Sequence, residues 1–196
     1  MELYINDEKI DASLEGEKTI GDVLKSFELT CHQNEAEVIG IEINGEKITA
    51  DNFDEHAKKD LDGNEKICFT VVTKSSIFEA FTKLASLFRE LSVRMESVPL
   101  DLQTGRDKEA HLAIKTLADN IEEFCHVATL ASLFDDFYDI QIADLPFNKF
   151  FEDFSPILKD FEDALKSNDT VSVGDLAEYE ICPRLISIAE TLEAIK

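Results

Sequence analysis

The chain has 196 residues, 42 of them acidic and 19 basic, a formal net charge of −23, and 44% hydrophobic residues. Such a length holds one or two ordinary domains of about 100–200 residues with enough apolar material for a core, which excludes a disordered chain. The isoelectric point near 4.4 makes the molecule repel a phosphate backbone and an anionic membrane surface alike, so neither nucleic acid nor membrane is expected as a partner.

The opening Met1-Glu2-Leu3-Tyr4-Ile5-Asn6-Asp7-Glu8 has neither the basic start nor the apolar stretch of a secretory leader. No later segment reaches the ~18 apolar residues of a membrane span. A cytoplasmic location is expected. Cys31, Cys68, Cys125 and Cys182 are widely spaced without a Cys-x-x-Cys pair, the usage of reduced, mostly buried thiols.

Residues 1–73 read as β-rich. Ile5-Asn6-Asp7-Glu8-Lys9-Ile10-Asp11-Ala12 is repeated as Ile43-Asn44-Gly45-Glu46-Lys47-Ile48-Thr49-Ala50. Asn-Asp and Asn-Gly accept the positive φ of a tight turn, and the flanking residues alternate apolar and polar, so each copy predicts a hairpin. Between them, Thr19 with Asp22 three residues on is a helix start, followed by Val23, Leu24 and Phe27, with Leu29 as a further candidate, at helical spacing. This helix is expected to cover the sheet. A short helical turn follows over Asp51–Lys59, then a turn at Asp62-Gly63-Asn64, then Lys66–Thr73, a β-branched run suited to a central strand. The order strand, strand, helix, strand, strand, short helix, strand resembles the β-grasp or ubiquitin-like fold. Members that act as modifiers or sulfur carriers end in a free Gly-Gly, whereas Thr73 runs into Lys74-Ser75-Ser76. The resemblance therefore implies a docking module and no conjugation chemistry.

Residues 74–196 read as a second, helical domain. Ile77, Phe81, Leu84, Phe88, Leu91 and Met95 alternate four- and three-residue steps, the seam of a helix packed side by side with others. Ser75 or Ser76 is expected as its N-cap and Pro99 just beyond its end. A second helix begins near Thr104–Asp107, carries Ala110, Ile114, Leu117, Ile121, Phe124, Ala128 and Ala131 on the same pattern, and runs to about Phe137. The third, from Pro146 to Lys166, places Phe147, Phe150, Phe151, Phe154, Ile157, Leu158, Phe161 and Leu165 within about one third of its circumference, with Pro156 as an internal bend. The fourth follows Asn168-Asp169-Thr170, with Ser172 and Asp175 as a capping pair, and runs to about Ala194. Short connections predict antiparallel neighbours. The expected fold is thus α+β, a β-grasp domain over 1–73 followed by an antiparallel four-helix bundle over 74–196.

No catalytic constellation is complete. Glu123 and His126 have the Glu-x-x-His spacing of carboxylate metal bundles, but no second copy accompanies them. Cys31-His32 and Cys125-His126 are neighbours in sequence, and neighbours on a helix point about 100° apart, not toward each other. Gly-x-Ser-x-Gly and phosphate-cradling glycine loops are lacking. The reading is therefore a non-enzyme without a cofactor, and Glu123 with His126 mark the alternative of a metal-binding bundle.

The segment Asp175-Leu176-Ala177-Glu178-Tyr179-Glu180-Ile181-Cys182-Pro183-Arg184-Leu185 changes its apolar phase at Pro183. Because Pro183 cannot donate to the Tyr179 carbonyl, a kink is expected there, with Glu180 and Arg184 paired at four-residue spacing. Together with the β-rich start, this Asp-Leu-x-Glu-Tyr-Glu-x-x-Pro string resembles a family of small acidic bacterial proteins, a likeness that implies architecture and no mechanism. Over Asp135–Asp163, nine acidic residues face only Lys149 and Lys159, a charge suited to steering a basic partner.

These features converge on an adaptor or chaperone-like protein that binds another protein, a basic one in the simplest case. The candidate contacts are Glu178, Tyr179, Glu180 and Arg184, with Phe147, Phe150, Phe151 and Phe154 as an apolar face. A monomer is expected, or a homodimer if a second copy completes the bundle.

Overall fold

A computed structural model describes residues 1–11, 16–137 and 139–195. The chain forms two compact units, Met1–Ser76 and Ile77–Lys196, of mixed α+β architecture: a five-stranded mixed sheet, then a series of helices.

In the first unit, β1 (Glu2–Ile5) and β2 (Glu8–Ile10) form a hairpin whose turn residues Asn6 and Asp7 have φ of 47° and 70°. Two positive φ values are what a turn matched to strand twist requires. Helix α1 (Ile20–Gln33) starts at Thr19, which accepts from the Asp22 N–H at 3.1 Å while the Asp22 carboxylate accepts from the Thr19 N–H at 2.9 Å. Strands β3 (Ala36–Ile43) and β4 (Glu46–Lys47) form the second hairpin, turning at Asn44 and Gly45. Helix α2 (Phe53–Ala57) leads to β5 (Lys66–Thr73).

The sheet order is β2-β1-β5-β3-β4, with β5 parallel to β1 and antiparallel to β3. The repeated sequence thus supplies the hairpins on both flanks of β5, and its asparagine is used on both. The Asn6 side chain accepts from the Val71 N–H and donates to the Val71 carbonyl, at 2.9 and 3.0 Å. Asn44 accepts from the Lys66 N–H at 2.9 Å. Each amide satisfies β5 backbone groups at a turn, where the strand ladders give out. Leu3, Ile20, Val23, Leu24, Ile43, Ile67 and Phe69 are the buried core between α1 and the sheet, and the Phe27 ring lies stacked on Phe69 with centroids 3.7 Å apart.

The second unit takes up the chain within α3 (Lys74–Gln103). Its N-cap is Thr73 rather than Ser75 or Ser76: the Ser76 N–H donates to the Thr73 hydroxyl at 3.1 Å and the Thr73 N–H to the Ser76 hydroxyl at 3.2 Å. The last residue of β5 is therefore also the cap. Pro99 lies inside the helix, not beyond it. A proline costs one hydrogen bond there, and contact offsets it: Gly174 packs so closely that a Cβ on it would sit 3.4 Å from the proline ring. All six predicted seam residues are buried.

Helix α4 (Asp107–Ala131) stops short of the expected Phe137, since Phe137 leaves the helix path to set its ring edge-on to Phe78 and Phe81, at 5.0 and 5.7 Å. Its buried line is Ala110, Ala113, Leu117, Asn120, Phe124, Val127 and Ala131. Ile114, Ile121 and Ala128, expected at the seam, are half-buried on its flank. Both lines alternate three- and four-residue steps, so spacing does not choose between them. A ribbon of β6 (Gln141–Ile142) and β7 (Leu145–Pro146) follows, unforeseen because its turn uses Ala143 and Asp144 at φ 51° and 63° in place of glycine or asparagine. Helix α5 (Phe147–Lys166) contains Pro156 as expected. Helix α6 (Thr170–Asp175) is capped by Asp169, which accepts from the N–H and hydroxyl of Ser172 at 3.1 and 2.7 Å; Ser172 is the capped residue, not the cap. A π-helical turn over Leu176–Ile181 joins α6 to α7 (Cys182–Ala194). Across helices, Arg89 of α3 makes a two-pronged pair with Glu193 of α7, at 3.1 and 2.8 Å.

Close packing fixes the sign of one substitution. A glycine inside a helix ordinarily costs about 1 kcal/mol against alanine, but a Cβ at Gly21 would lie 2.8 Å from the Ala57 carbonyl oxygen. Gly21→Ala is therefore expected to lower stability by about 1–3 kcal/mol, read as a lower urea midpoint; a higher midpoint would mean that α1 and α2 do not meet as described.

Candidate protein-docking site

The phenylalanine row of α5 serves mainly the interior. Phe150 and Phe154 are 2% and 0% exposed, and are corrected from surface contacts to core. Phe147 and Phe151 are half-buried, with ring centroids 5.3 and 5.8 Å from that of the buried Phe124 on α4. The row is covered because an amphipathic helix stabilises this unit only by burying that stripe.

One covering group is Arg184. Its guanidinium lies over the Phe154 ring at 5.9 Å and donates to the Glu180 carboxylate at 2.6 Å, the Glu180 main-chain carbonyl at 3.0 Å and the Asp153 carboxylate at 2.7 Å. Burial works to lower its pKa, and the two carboxylates more than offset this and raise it. The expected Glu180–Arg184 pair is present. Asp153, which ties it to α5, was not foreseen: nothing local in sequence links positions 31 residues apart.

The helix does not simply kink at Pro183. Buried Val173, Ala177, Ile181 and Leu185 recur every fourth residue. In a regular α-helix each such step drifts about 40°, or about 120° from Val173 to Leu185. A π turn takes one more residue into the ring and cancels much of that drift; here the Cys182 N–H donates to the carbonyl of Ala177, five residues back. The apolar stripe thereby stays on one core, and the opposite side carries Tyr179, 65% exposed, with exposed Glu178 beside it. A hydrogen bond to the Glu178 carboxylate, then the negative charge of Glu178 and Asp175, hold the phenol above its ordinary pKa.

The other candidates lack comparable geometry. Glu123 and His126 are both exposed on α4, and among the described residues no group of three potential metal ligands converges. The thiols of Cys31, Cys125 and Cys182 are all pushed up in pKa by burial, Cys182 to about 11. A nucleophilic thiol needs the opposite shift. The Cys182 thiol instead donates to the Ser92 carbonyl at 3.3 Å.

With this geometry established, comparison with known proteins places the chain. Residues 79–191 match a family described as a domain of unknown function, DUF8042. The chain belongs to that family. Residues 1–73 match the TP0873 N-terminal domain. A protein of Treponema pallidum (strain Nichols), described as an uncharacterized protein, is 24% identical over 183 residues, covering 93% of this chain and 92% of its own. No solved structure matches. The resemblance to a family of small bacterial proteins thus holds at the level of the family.

Two outcomes follow. Arg184→Ala is expected to cost about 1–3 kcal/mol in urea unfolding, and Arg184→Lys to recover only part, since an ammonium cannot span three acceptors as the planar fork does; equal stability of all three proteins would show that the fork is not formed. Iodoacetamide at about pH 8 is expected to leave Cys182 unmodified until the chain unfolds, as mass spectrometry of its peptide would report; rapid native labelling would contradict its burial.

Proposed function

We propose that this protein is a non-enzymatic adaptor that docks another protein, of basic character, on the π turn of its helical unit. In this reading the first unit is a β-grasp module and the second an antiparallel four-helix arrangement, working in the cytoplasm. Support for the β-grasp is the order β2-β1-β5-β3-β4 with α1 packed over the sheet. No helix among the described residues is long and apolar enough to cross a membrane.

The observation that carries the docking reading is Tyr179: a large amphipathic ring, 65% exposed, held outward by a π turn and flanked by carboxylates. Aromatic side chains of this kind anchor interfaces because they bury much area at small entropic cost, and neighbouring carboxylates orient a cationic partner. A π turn in a helix is itself a frequent mark of a functional position. Of the proposed contacts, Glu178 and Tyr179 are the exposed ones. Glu180 and Arg184 hold the turn in shape, and Phe147 and Phe151 contribute edges only.

A photo-crosslinking residue at position 179, introduced into the protein in its native host, is expected to give one discrete adduct that is weakened by Glu178→Lys. The same residue at Val93, equally exposed at 65%, should give none. Absence of an adduct at 179, or the same adducts from both positions, would defeat the proposal. An adduct of twice the protein's own mass would replace it with a homodimer.

A further inference from the structure

The first unit carries an unfinished edge. Strand β4 pairs with β3 only at Glu42–Lys47 and Ile43–Glu46, with one more bond from the Ile48 N–H to the Ile41 carbonyl at 2.9 Å. Toward its start, from Ala36 to Gly40, the outer side of β3 has no strand beside it among the described residues. The register with β5 slips between Val38 and Gly40, so Ile39 is a bulged residue, 43% exposed. The unpaired N–H and C=O groups of such an edge are a template for an added strand, which here must accommodate the bulge at Ile39.

Alongside it runs a cleft of about 220 Å³ between α1 and β3, walled by Leu24, Val38, Ile41, Phe53 and Phe69, with Lys25 and Glu28 on the α1 side. Phe53 is 40% exposed in its wall. A second carboxylate, Glu37 of β3, lies near the same end of α1, where its Oε1 meets His32 Nδ1 at 3.1 Å; Glu37 and Glu28 both act on Cys31 of α1. An open row of backbone groups beside an apolar trough therefore has acidic groups close by, in a unit holding 18 acidic residues against 8 basic.

We propose that this edge takes an extended peptide segment of another protein, added as a strand antiparallel or parallel to β3, with a β-branched apolar side chain in the cleft and a lysine or arginine facing Glu28 and Glu37. Only an extended backbone matches the unpaired groups of a strand edge, while pockets for alternate side chains give selectivity. A second copy of this chain is the poorer occupant, because edge-to-edge pairing would bring two strongly acidic units and their Glu37 residues together, and like charges across strands repel. The edge belongs to the first unit, and its occupancy does not depend on the role of Tyr179.

The probe is a short acetylated peptide alternating valine and threonine, with a lysine at each end, added to the full chain. Amide exchange at Ala36–Gly40 is expected to slow by about tenfold or more on saturation. N-methylation of alternate peptide amides, which keeps the side chains but blocks strand pairing, should weaken binding by about tenfold or more. The double substitution Glu28→Lys and Glu37→Lys should transfer preference to the same peptide ended in glutamate, and Tyr179→Ala should change nothing. Equal binding of the methylated and unmethylated peptides, no binding of either, or protection of other amides would overturn the proposal. So would concentration-dependent protection of Ala36–Gly40 in the absence of peptide, which would give the edge to a second copy.

Discussion

Pro183 has no N–H to give, and the helical unit is arranged around that deficiency. A proline inside a packed helix strands a carbonyl one turn back. Here the chain widens into a π turn before the proline and the Cys182 N–H reaches back to Ala177; beside it the Arg184 side chain donates to the Glu180 carbonyl, a different group from the Tyr179 carbonyl that the proline cannot serve. Three features meet at this turn. Val173, Ala177, Ile181 and Leu185 keep to one core, Arg184 folds over Phe154, and Tyr179 is left outside. Restoring a regular helix would rotate one of the two stripes out of the core. The exposed tyrosine thus lies on the outer side of the same turn that keeps the apolar stripe buried.

Much of this was legible where the signal was local. The two hairpins, the Thr19–Asp22 cap, the α3 seam and the Glu180–Arg184 pair all depend on residues within a few positions of one another, and short-range geometry fixes them. Reading failed where a distant contact decided the outcome. Pro99 stays inside α3 because Gly174 leaves room for its ring. Phe137 ends the helical path early because Phe78 and Phe81 offer it an aromatic nest, and Arg184 is anchored by Asp153 on another helix. The phenylalanines of α5 read equally as core or as surface, since a stripe announces that something covers it and not what does. The β6–β7 ribbon was missed because its turn tolerates positive φ at an alanine and an aspartate.

The repeated Ile-Asn-x-Glu-Lys-Ile has a use beyond its two turns. Its asparagines bond the backbone of β5 from both sides, Asn6 at Val71 and Asn44 at Lys66. The central strand is thus held by side-chain amides where neighbouring strands turn away. Asymmetry enters before the repeat: β2 pairs with Leu3–Ile5 of a four-residue β1, whereas β4 covers only the last two residues of an eight-residue β3. Two similar hairpins leave unequal margins, and the more open one adjoins the apolar cleft.

Thr73 does two things at once: it ends β5 and caps α3 through its exchange with Ser76. The stretch matched to the first family ends at residue 73 and that matched to the second starts at residue 79. A break after residue 73 would strip the first turn of a thirty-residue helix of the hydroxyl that receives its amide, and fraying would begin at the end nearest the cut. One residue thus serves both the end of a strand and the start of a helix.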